Sequence, residues 1–205
     1  MTRLAAMRHP HAGITLISRW ITGGEERSRA AADALLDTWS QGADGDVPAA
    51  RLATHVFVDE DGSGLLIHGQ WTSAEDHLAF VREGRAARVG RIDTLVPGIE
   101  RPGLHRTRPY REVTVDPGRA ADVFAFATYD AEAPGRARAR ADTRAAALTD
   151  AAPPGLLGFH LYLTTDGGRV VELAEWAGTA DAVAREAVHG PGTRFYRFHG
   201  SRSTR

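Results

Sequence analysis

A pattern that occurs twice in the chain constrains the fold more than any other sequence feature. ATHVFVDEDGSGLLIHGQWTSAED, at residues 53–76, aligns without a gap with GFHLYLTTDGGRVVELAEWAGTAD, at residues 158–181. Position 53 thus matches position 158, and the offset of 105 holds for every pair. A repeat of this kind predicts two units of similar structure. The identical pairs include His55 and His160, Asp61 and Asp166, Gly62 and Gly167, Trp71 and Trp176, and Asp76 and Asp181.

The chain is long enough for two domains. Its 205 residues would give about 100 residues to each half. We therefore predict domains at 1–112 and 113–205, joined near Asp116-Pro117-Gly118. Domains of this size are only marginally stable alone, so we expect the two halves to support each other.

Apolar periodicity and turn residues predict the same element order, β-α-β-β-α-β, in each repeat. This is the ferredoxin-like order. Ser73 and Asp76 resemble a capping box at the start of the second helix, and Pro97-Gly98 ends that helix. The predicted elements of repeat one are a strand at 13–21, a helix within 23–42, a hairpin at 52–71, a helix at 72–92 and a strand at 103–115; those of repeat two are a strand at 121–130, a helix at 135–151, a hairpin at 156–176, a helix at 178–190 and a strand at 193–201.

Strand alternation sorts the side chains of the first hairpin onto two faces. With Asp61-Gly62 at the tip, Phe57 lies opposite Leu66. Both faces then carry apolar residues, so both must be covered. Helices cover one face of such a sheet, and the sheet of the other repeat can cover the second. The predicted fold class is therefore α+β, with two tandem ferredoxin-like βαββαβ units whose sheets pack face to face as an intramolecular α+β barrel.

Composition excludes several classes of function. The net charge of −1 favours no nucleic-acid partner, and no apolar run reaches the roughly 18 residues of a membrane span. The absence of cysteine excludes thiolate chemistry, and the absence of lysine excludes a Schiff base. The N-terminus is too short and too polar for a secretory signal. We expect a cytoplasmic protein that is a monomer or a homodimer.

The quoted patterns also resemble a known family. DGSGLLIHGQWTSAEDHLAF, its counterpart DGGRVVELAEWAGTADAV and the segment LVPGIERPGLHRTRPYREV are similar to the antibiotic biosynthesis monooxygenase family. The resemblance covers nearly the whole chain as two tandem copies. Family members usually dimerise through their sheets, so the tandem copy resembles an internal pseudo-dimer.

This resemblance implies a cofactor-free monooxygenase that uses molecular oxygen to convert an aromatic polyketide-type anthrone or phenol to a quinone. Its partners would be the small aromatic substrate and oxygen. The wider superfamily leaves two alternatives, a polyketide cyclase or isomerase and a non-catalytic ligand-binding accessory protein. The sequence itself shows no phosphate loop and no metal-ligand spacing, so we expect no flavin, haem or metal.

The resemblance also implies a pocket between sheet and helices in each unit. In the family this pocket is lined by a tryptophan, an asparagine four residues earlier, a tyrosine on the next helix and an arginine. In repeat one these positions hold Trp71, Ile67 and His77, with Arg91 near the arginine; in repeat two they hold Trp176, Glu172 and Ala182. Because the chain has no asparagine, the family's usual polar set is absent.

Each candidate carries two interpretations. His77 or Glu172 could serve as the base and Arg91 as the stabiliser of an oxyanion, while Trp71, Ile67 and Trp176 bind the substrate. The alternatives are that the tryptophans anchor cores, that His77 is exposed, and that Glu172 forms a salt bridge. A buried carboxylate is costly unless it is paired or protonated, and burial alone would raise its pKa toward the range of a general base. Repeat one has polar residues at more of the pocket positions than repeat two does. We therefore predict that the active pocket lies in repeat one.

Overall fold

The computed structural model describes residues 8–40, 47–178, 185, 188–190 and 192–204. This part of the chain is an α+β protein with eight strands and four helices. None of its helices has both the length and the apolar character of a membrane span. The elements are β1 Ile14–Ile21, α1 Glu25–Asp37, β2 Arg51–Asp59, β3 Gly64–Trp71, α2 Ala74–Glu83, α3 Arg85–Leu95, β4 Glu100–Thr114, β5 Val123–Asp130, α4 Pro134–Asp150, β6 Leu156–Thr164, β7 Arg169–Trp176 and β8 Arg194–Ser203.

The described residues form two compact units. The first unit contains residues 8–106 and 198–204, and the second contains residues 107–197. In the first unit β3 pairs with β1 and β2, and in the second unit β7 pairs with β5 and β6, all antiparallel. From residue 107 onward β4 pairs with β6, and β8 up to residue 197 pairs with β5. The domain boundary at 112/113 stays a prediction, because β4 contributes to both units.

The register of the first hairpin confirms the face assignment made from the sequence. Phe57 pairs with Leu66 and His55 pairs with His68. The turn contains Gly62, whose φ of 72° lies in the left-handed region that favours glycine. The counterpart Gly167, with φ of 71°, makes the same turn in the second hairpin. Local turn chemistry therefore sets the same register in both repeats.

The second helix of repeat one is predicted from the sequence as a single element, but the structure divides it into α2 and α3. Its start is as expected, because the Ser73 hydroxyl accepts a hydrogen bond from the Asp76 backbone N–H at 3.0 Å. The helix ends at Gly84, whose φ of −130° is not helical, and α3 begins at Arg85. Glycine has a low helix propensity, so a break here costs little.

Each unit has its own apolar core between sheet and helices. Alanines on α1 and α4 face the strands, and their small side chains allow a close helix-to-sheet approach. The predicted helix at 178–190 falls mostly outside the described residues. The core of the first unit includes Trp20, Ala31, Leu35, Val56, Leu65, Ile67 and Ile92, and that of the second includes Val123, Ala137, Ala141, Phe159, Leu161, Val170 and Trp176.

Candidate active site

The first unit contains a cavity of about 290 Å³ between its sheet and helices α1, α2 and α3. Aromatic side chains form much of its wall, and a few polar groups point into it, as is typical of small-molecule sites. No carboxylate is among the described residues that line it. The aromatic lining residues are Trp20, Trp39, Trp71 and Phe80, and the polar ones are Ser18, Thr38, Thr54, His77, Arg85, Arg88 and Arg101.

Strand β3 presents alternate residues to the cavity, namely Ile67, Gly69 and Trp71. Gly69 is the reason that there is space between the two large side chains. A Cβ placed on Gly69 would meet its nearest neighbours, in Leu16 and Trp71, at 3.9 Å. This is ordinary van der Waals contact, so the strand itself tolerates a side chain at this position. A larger residue there would fill the cavity instead of distorting the sheet.

Trp71 is both a core anchor and a wall of the cavity. It is buried in a small cluster with Ile14 and Leu16. Its ring centroid lies 6.4 Å from that of Trp39 in an edge-on arrangement, and 5.1 Å from that of Phe80. These separations are typical of favourable aromatic pairs. The cavity therefore has a rigid aromatic wall whose position the core fixes.

Several guanidinium groups give the cavity positive character. Arg88 is buried, donates a hydrogen bond to the Thr38 carbonyl and stacks over the Trp39 ring at 4.7 Å. Arg51, which is not on the lining, lies 4.9 Å from the centre of the same ring, and its pKa is lowered to about 10 by burial and by the charge of Arg88. Arg101 stacks over Trp20 at 4.3 Å and pairs with Asp93 at 2.7 Å. Arginine suits such stacked positions because its guanidinium is planar and weakly hydrated.

His77 on α2 is a neutral imidazole inside this positive environment. Its side chain is only 6% exposed, and its ring lies edge-on to Trp71 with centroids 5.2 Å apart. Burial lowers the pKa of His77 to about 4, and the charges of Arg106 and Arg85 add to the effect. Its Nδ1 atom is buried and has no hydrogen-bond partner among the described residues. The structure thus places this polar nitrogen beside the cavity with its bonding capacity unused.

We predict that His77 titrates far below an ordinary histidine, with a midpoint near pH 4 in histidine-resolved NMR. The unfolded chain takes up this proton at about pH 6.5, before the folded chain does. The contribution of His77 to stability is therefore present above that pH and is lost as the pH falls toward 4. His77→Gln should remove this part of the pH dependence. A midpoint close to 6.5 in the wild type would contradict the buried, positive environment.

The structure does not bring Arg91 to the cavity. Arg91 is exposed on α3, and Arg88, one turn earlier, lines the cavity in its place. The signal for Arg88 is its helical spacing, because Arg88 and Ile92 are four residues apart and share the buried face of α3. Of the other residues selected from repeat one, Trp71, Ile67 and His77 all line the cavity together. Trp39 and Arg101 are lining residues that the sequence reasoning missed.

Glu172 in the second unit forms a buried ion pair. It lies on β7 at the position equivalent to Ile67, and its side chain is 0% exposed. Arg144 on α4 donates to both carboxylate oxygens, from Nε at 2.9 Å and from Nη2 at 3.0 Å. His189 Nδ1 lies 2.7 Å from Oε1, and the Tyr129 hydroxyl donates to Oε2 at 3.3 Å. The salt-bridge alternative is the one that the geometry supports.

The pKa of Glu172 also argues against a role as general base. Burial alone would raise this pKa, but hydrogen bonds from His189 and Arg144 and the charge of Arg144 hold it at about 2. The expected rise toward neutrality is therefore wrong, because the carboxylate is buried together with its partners. At neutral pH Glu172 stays ionised and fully engaged in structural contacts.

Trp176 belongs to the same buried network. Its indole Nε1 donates to His189 Nε2 at 3.1 Å, so that nitrogen is an acceptor and Nδ1 carries the proton toward Glu172. By the offset of 105, Ala174 is the counterpart of Gly69. The preceding strands β1 and β5 pair with β3 and β7 at an offset of 109, and α1 and α4 begin at the same offset, so Arg144 is the counterpart of Leu35, another lining residue of the cavity. Side chains that leave a cavity in the first unit are thus replaced in the second by a carboxylate, a guanidinium and a methyl group. Ala182 lies outside the described residues.

Comparison with known proteins supports the architecture. The chain matches no protein-family model. No curated protein sequence is significantly similar to it either. Among solved structures, it is similar to an anthrone oxidase-like protein, with 18% identity over 93% of this chain and 92% of that one, and a TM-score of 0.59.

Two further solved structures are similar to the chain. One is a chlorite dismutase variant from Candidatus Nitrospira defluvii, with 15% identity over 98% of this chain and 96% of that one, and a TM-score of 0.57. The other is a protein from Lactobacillus acidophilus, described only provisionally as a monooxygenase, with 8% identity over 93% and 96% of the two chains and a TM-score of 0.53. At these identities the likeness establishes a shared fold and nothing finer.

Proposed function

We propose that the chain is a monooxygenase that oxidises a fused-ring aromatic compound of polyketide type, an anthrone or phenol, to a quinone. The observation that carries this proposal is the aromatic-walled cavity of the first unit, with a neutral imidazole and guanidinium groups on its lining. Its volume of about 290 Å³ is roughly twice that of a cavity that accommodates benzene. Two or three fused rings fit this size. The fold shared with an anthrone oxidase-like protein is consistent with the proposal.

The proposed reaction uses oxygen and needs no external reductant. An anthrone loses a proton from its methylene ring carbon, and the resulting carbanion forms a carbon–oxygen bond with molecular oxygen; a phenol would lose its first proton from the hydroxyl group instead. The peroxide anion then takes up a proton. Loss of the second carbon-bound proton breaks the oxygen–oxygen bond and leaves a carbonyl and water. One oxygen atom enters the quinone and the other enters water, and the substrate supplies all four electrons.

Different residues of the cavity accept the proton, stabilise the anion and exclude water. His77 is unprotonated at neutral pH and accepts the first proton, although its low pKa makes it a weak base. Stabilisation of the anion must therefore come from the guanidinium groups of Arg88 and Arg101 on the lining. The aromatic wall keeps water away from the carbanion and the peroxide. Glu172 and Trp176 have structural roles in the second unit.

We further propose that the sheets of the two units face each other, so that the chain is an internal pseudo-dimer that works as a monomer or homodimer. We also propose that the protein acts in the cytoplasm on a small aromatic substrate and oxygen, without a bound cofactor, and that it has neither a nucleic-acid nor a membrane partner. The similar hairpins of the two repeats and their equivalent strand pairing support the pseudo-dimer.

Oxygen uptake with an anthrone tests the proposal. We expect one oxygen consumed for each quinone formed, at a rate well above that of the protein-free solution and unchanged by a metal chelator. The purified protein should have no visible absorption band. Anaerobic conversion to a rearranged product would instead favour a cyclase or isomerase. Tight binding of the anthrone without turnover would favour an accessory protein.

A further inference from the structure

Three polar groups on the cavity lining or acting on it have no hydrogen-bond partner among the described residues. They are the buried Nδ1 atom of His77 and the guanidinium groups of Arg85 and Arg106. Arg85 is the first residue of α3 and lines the cavity at an exposed position. Arg106 lies on β4, half-buried, and its Nε atom is buried without a hydrogen-bond partner in the described part of the chain. We call these three residues the anion corner.

The two arginines of the anion corner both affect His77 electrostatically. The charges of both lower the pKa of His77, and Arg85 lines the same cavity as His77. Neither forms an ion pair with a described residue, whereas Arg101 of the same cavity is paired with Asp93. No carboxylate lies among the described lining residues to balance them. The described lining residues therefore supply no negative charge opposite these guanidinium groups.

We infer that the substrate carries a carboxylate on its fused rings, and that the anion corner of His77, Arg85 and Arg106 binds this carboxylate. The inference rests on the proposed function, since it names the class of substrate for the same cavity. A guanidinium group matches a carboxylate with two parallel hydrogen bonds, and the Nδ1–H of neutral His77 supplies a third donor, which leaves Nε2 as the nitrogen that accepts a proton in the proposed reaction. Binding would satisfy the partnerless nitrogen of His77 and neutralise the positive charge beside it.

The position of the corner also orients the rings. His77 lies 5.2 Å from Trp71 and 6.4 Å from Phe80, measured between ring centroids. A carboxylate held at His77 therefore places the attached rings against these two aromatic side chains. The ring carbon that meets oxygen is then fixed by its distance from the carboxylate. The anion corner would set the position of oxidation as well as the affinity.

A pair of matched probes tests this inference by calorimetry. 2-Naphthoate and 2-naphthylmethanol have the same ring system and differ chiefly in charge. We expect the wild type to bind the naphthoate about tenfold more tightly, a difference typical of charge-assisted hydrogen bonds. Arg85→Gln and Arg106→Gln should each weaken naphthoate binding by about five- to tenfold and change naphthylmethanol binding by less than about twofold. Arg91→Gln, an exposed control on the same helix, should change neither.

The outcomes separate this inference from the proposed function. Equal affinity for the two probes, or equal losses for both probes in the Arg85 and Arg106 variants, would overturn the carboxylate inference and leave an aromatic-binding cavity intact. If neither probe binds, the inference and the proposed cavity function both fail. A preference for naphthoate in a protein that takes up no oxygen with any anthrone would support the anion corner while contradicting the oxygenase.

Discussion

Replacement of Glu172 by alanine is expected to lower the free energy of unfolding by about 3–5 kcal/mol, the usual cost of breaking a buried ion pair from one side. Arg144 would keep its charge in a largely buried site without the bidentate partner it has at 2.9 and 3.0 Å. The Tyr129 hydroxyl would also lose one of its two acceptors and keep the His189 carbonyl. Chemical denaturation at pH 7, followed by circular dichroism, measures the loss.

Two variants serve as controls for Glu172→Ala. Glu25→Ala removes an exposed pair with Arg29 and should change stability by less than about 1 kcal/mol. The double variant Glu172→Ile with Arg144→Leu introduces the residues found at the equivalent positions of repeat one, Ile67 and Leu35, and it should recover much of the loss because no buried charge remains. A cost below about 1 kcal/mol for Glu172→Ala would contradict a buried, paired carboxylate.

The ion pair between Glu172 and Arg144 also predicts how the free energy of unfolding changes with pH. The pKa of Glu172 falls from 4.5 to about 2 in the folded protein. Its contribution to stability is therefore fully present above pH 4.5 and is lost as the pH falls toward 2. The double variant lacks this carboxylate, so its stability should fall less steeply over this range.

Replacement of Gly69 by leucine is expected to reduce kcat/KM for an anthrone by about 100-fold, the scale of loss that a misplaced substrate causes. The leucine side chain would occupy the space beside Trp71 in which the substrate rings are proposed to lie. Steady-state oxygen uptake measures the loss, and calorimetry should show that 2-naphthylmethanol no longer binds. Because a Cβ at this position meets nothing closer than 3.9 Å, the variant should fold.

Gly90→Leu is the matched control for Gly69→Leu. Gly90 is exposed on α3, and a Cβ there would meet no atom within 4 Å. This variant makes the same chemical change outside the cavity and should keep wild-type turnover. Normal turnover in a folded Gly69→Leu variant would place the reaction elsewhere in the molecule.

The fold follows closely from the sequence because its main signals are local. The turn at Gly62 and the alternation of apolar residues determine the hairpin register, and the same pattern at Gly167 predicts the second copy. The break at Gly84 was missed because the residues around it favour a helix throughout. A single glycine within a helical sequence does not show whether the helix ends there, because that depends on the packing of the folded unit.

Only part of the candidate site could be predicted in the same way. Trp71, Ile67 and His77 lie close together in sequence, on one strand and the following helix, and their spacing indicates their common position. Trp39 and Arg101 reach the cavity from distant elements, so only tertiary packing shows their role. Glu172 was ambiguous for the same reason, since its partners Arg144 and His189 lie on other elements. The chain has 25 arginines and no lysine, so the sequence alone does not show which arginine pairs with Glu172.

A crystal structure of the protein with the quinone product of an anthrone bound would show which unit holds the ligand. We expect one molecule of quinone in the first unit, with its rings among Trp39, Trp71 and Phe80, and an unbroken contact between Glu172 and Arg144 in the second unit. Quinone bound beside Trp176 with that ion pair broken, or a first-unit cavity that stays empty at saturating quinone, would contradict this expectation.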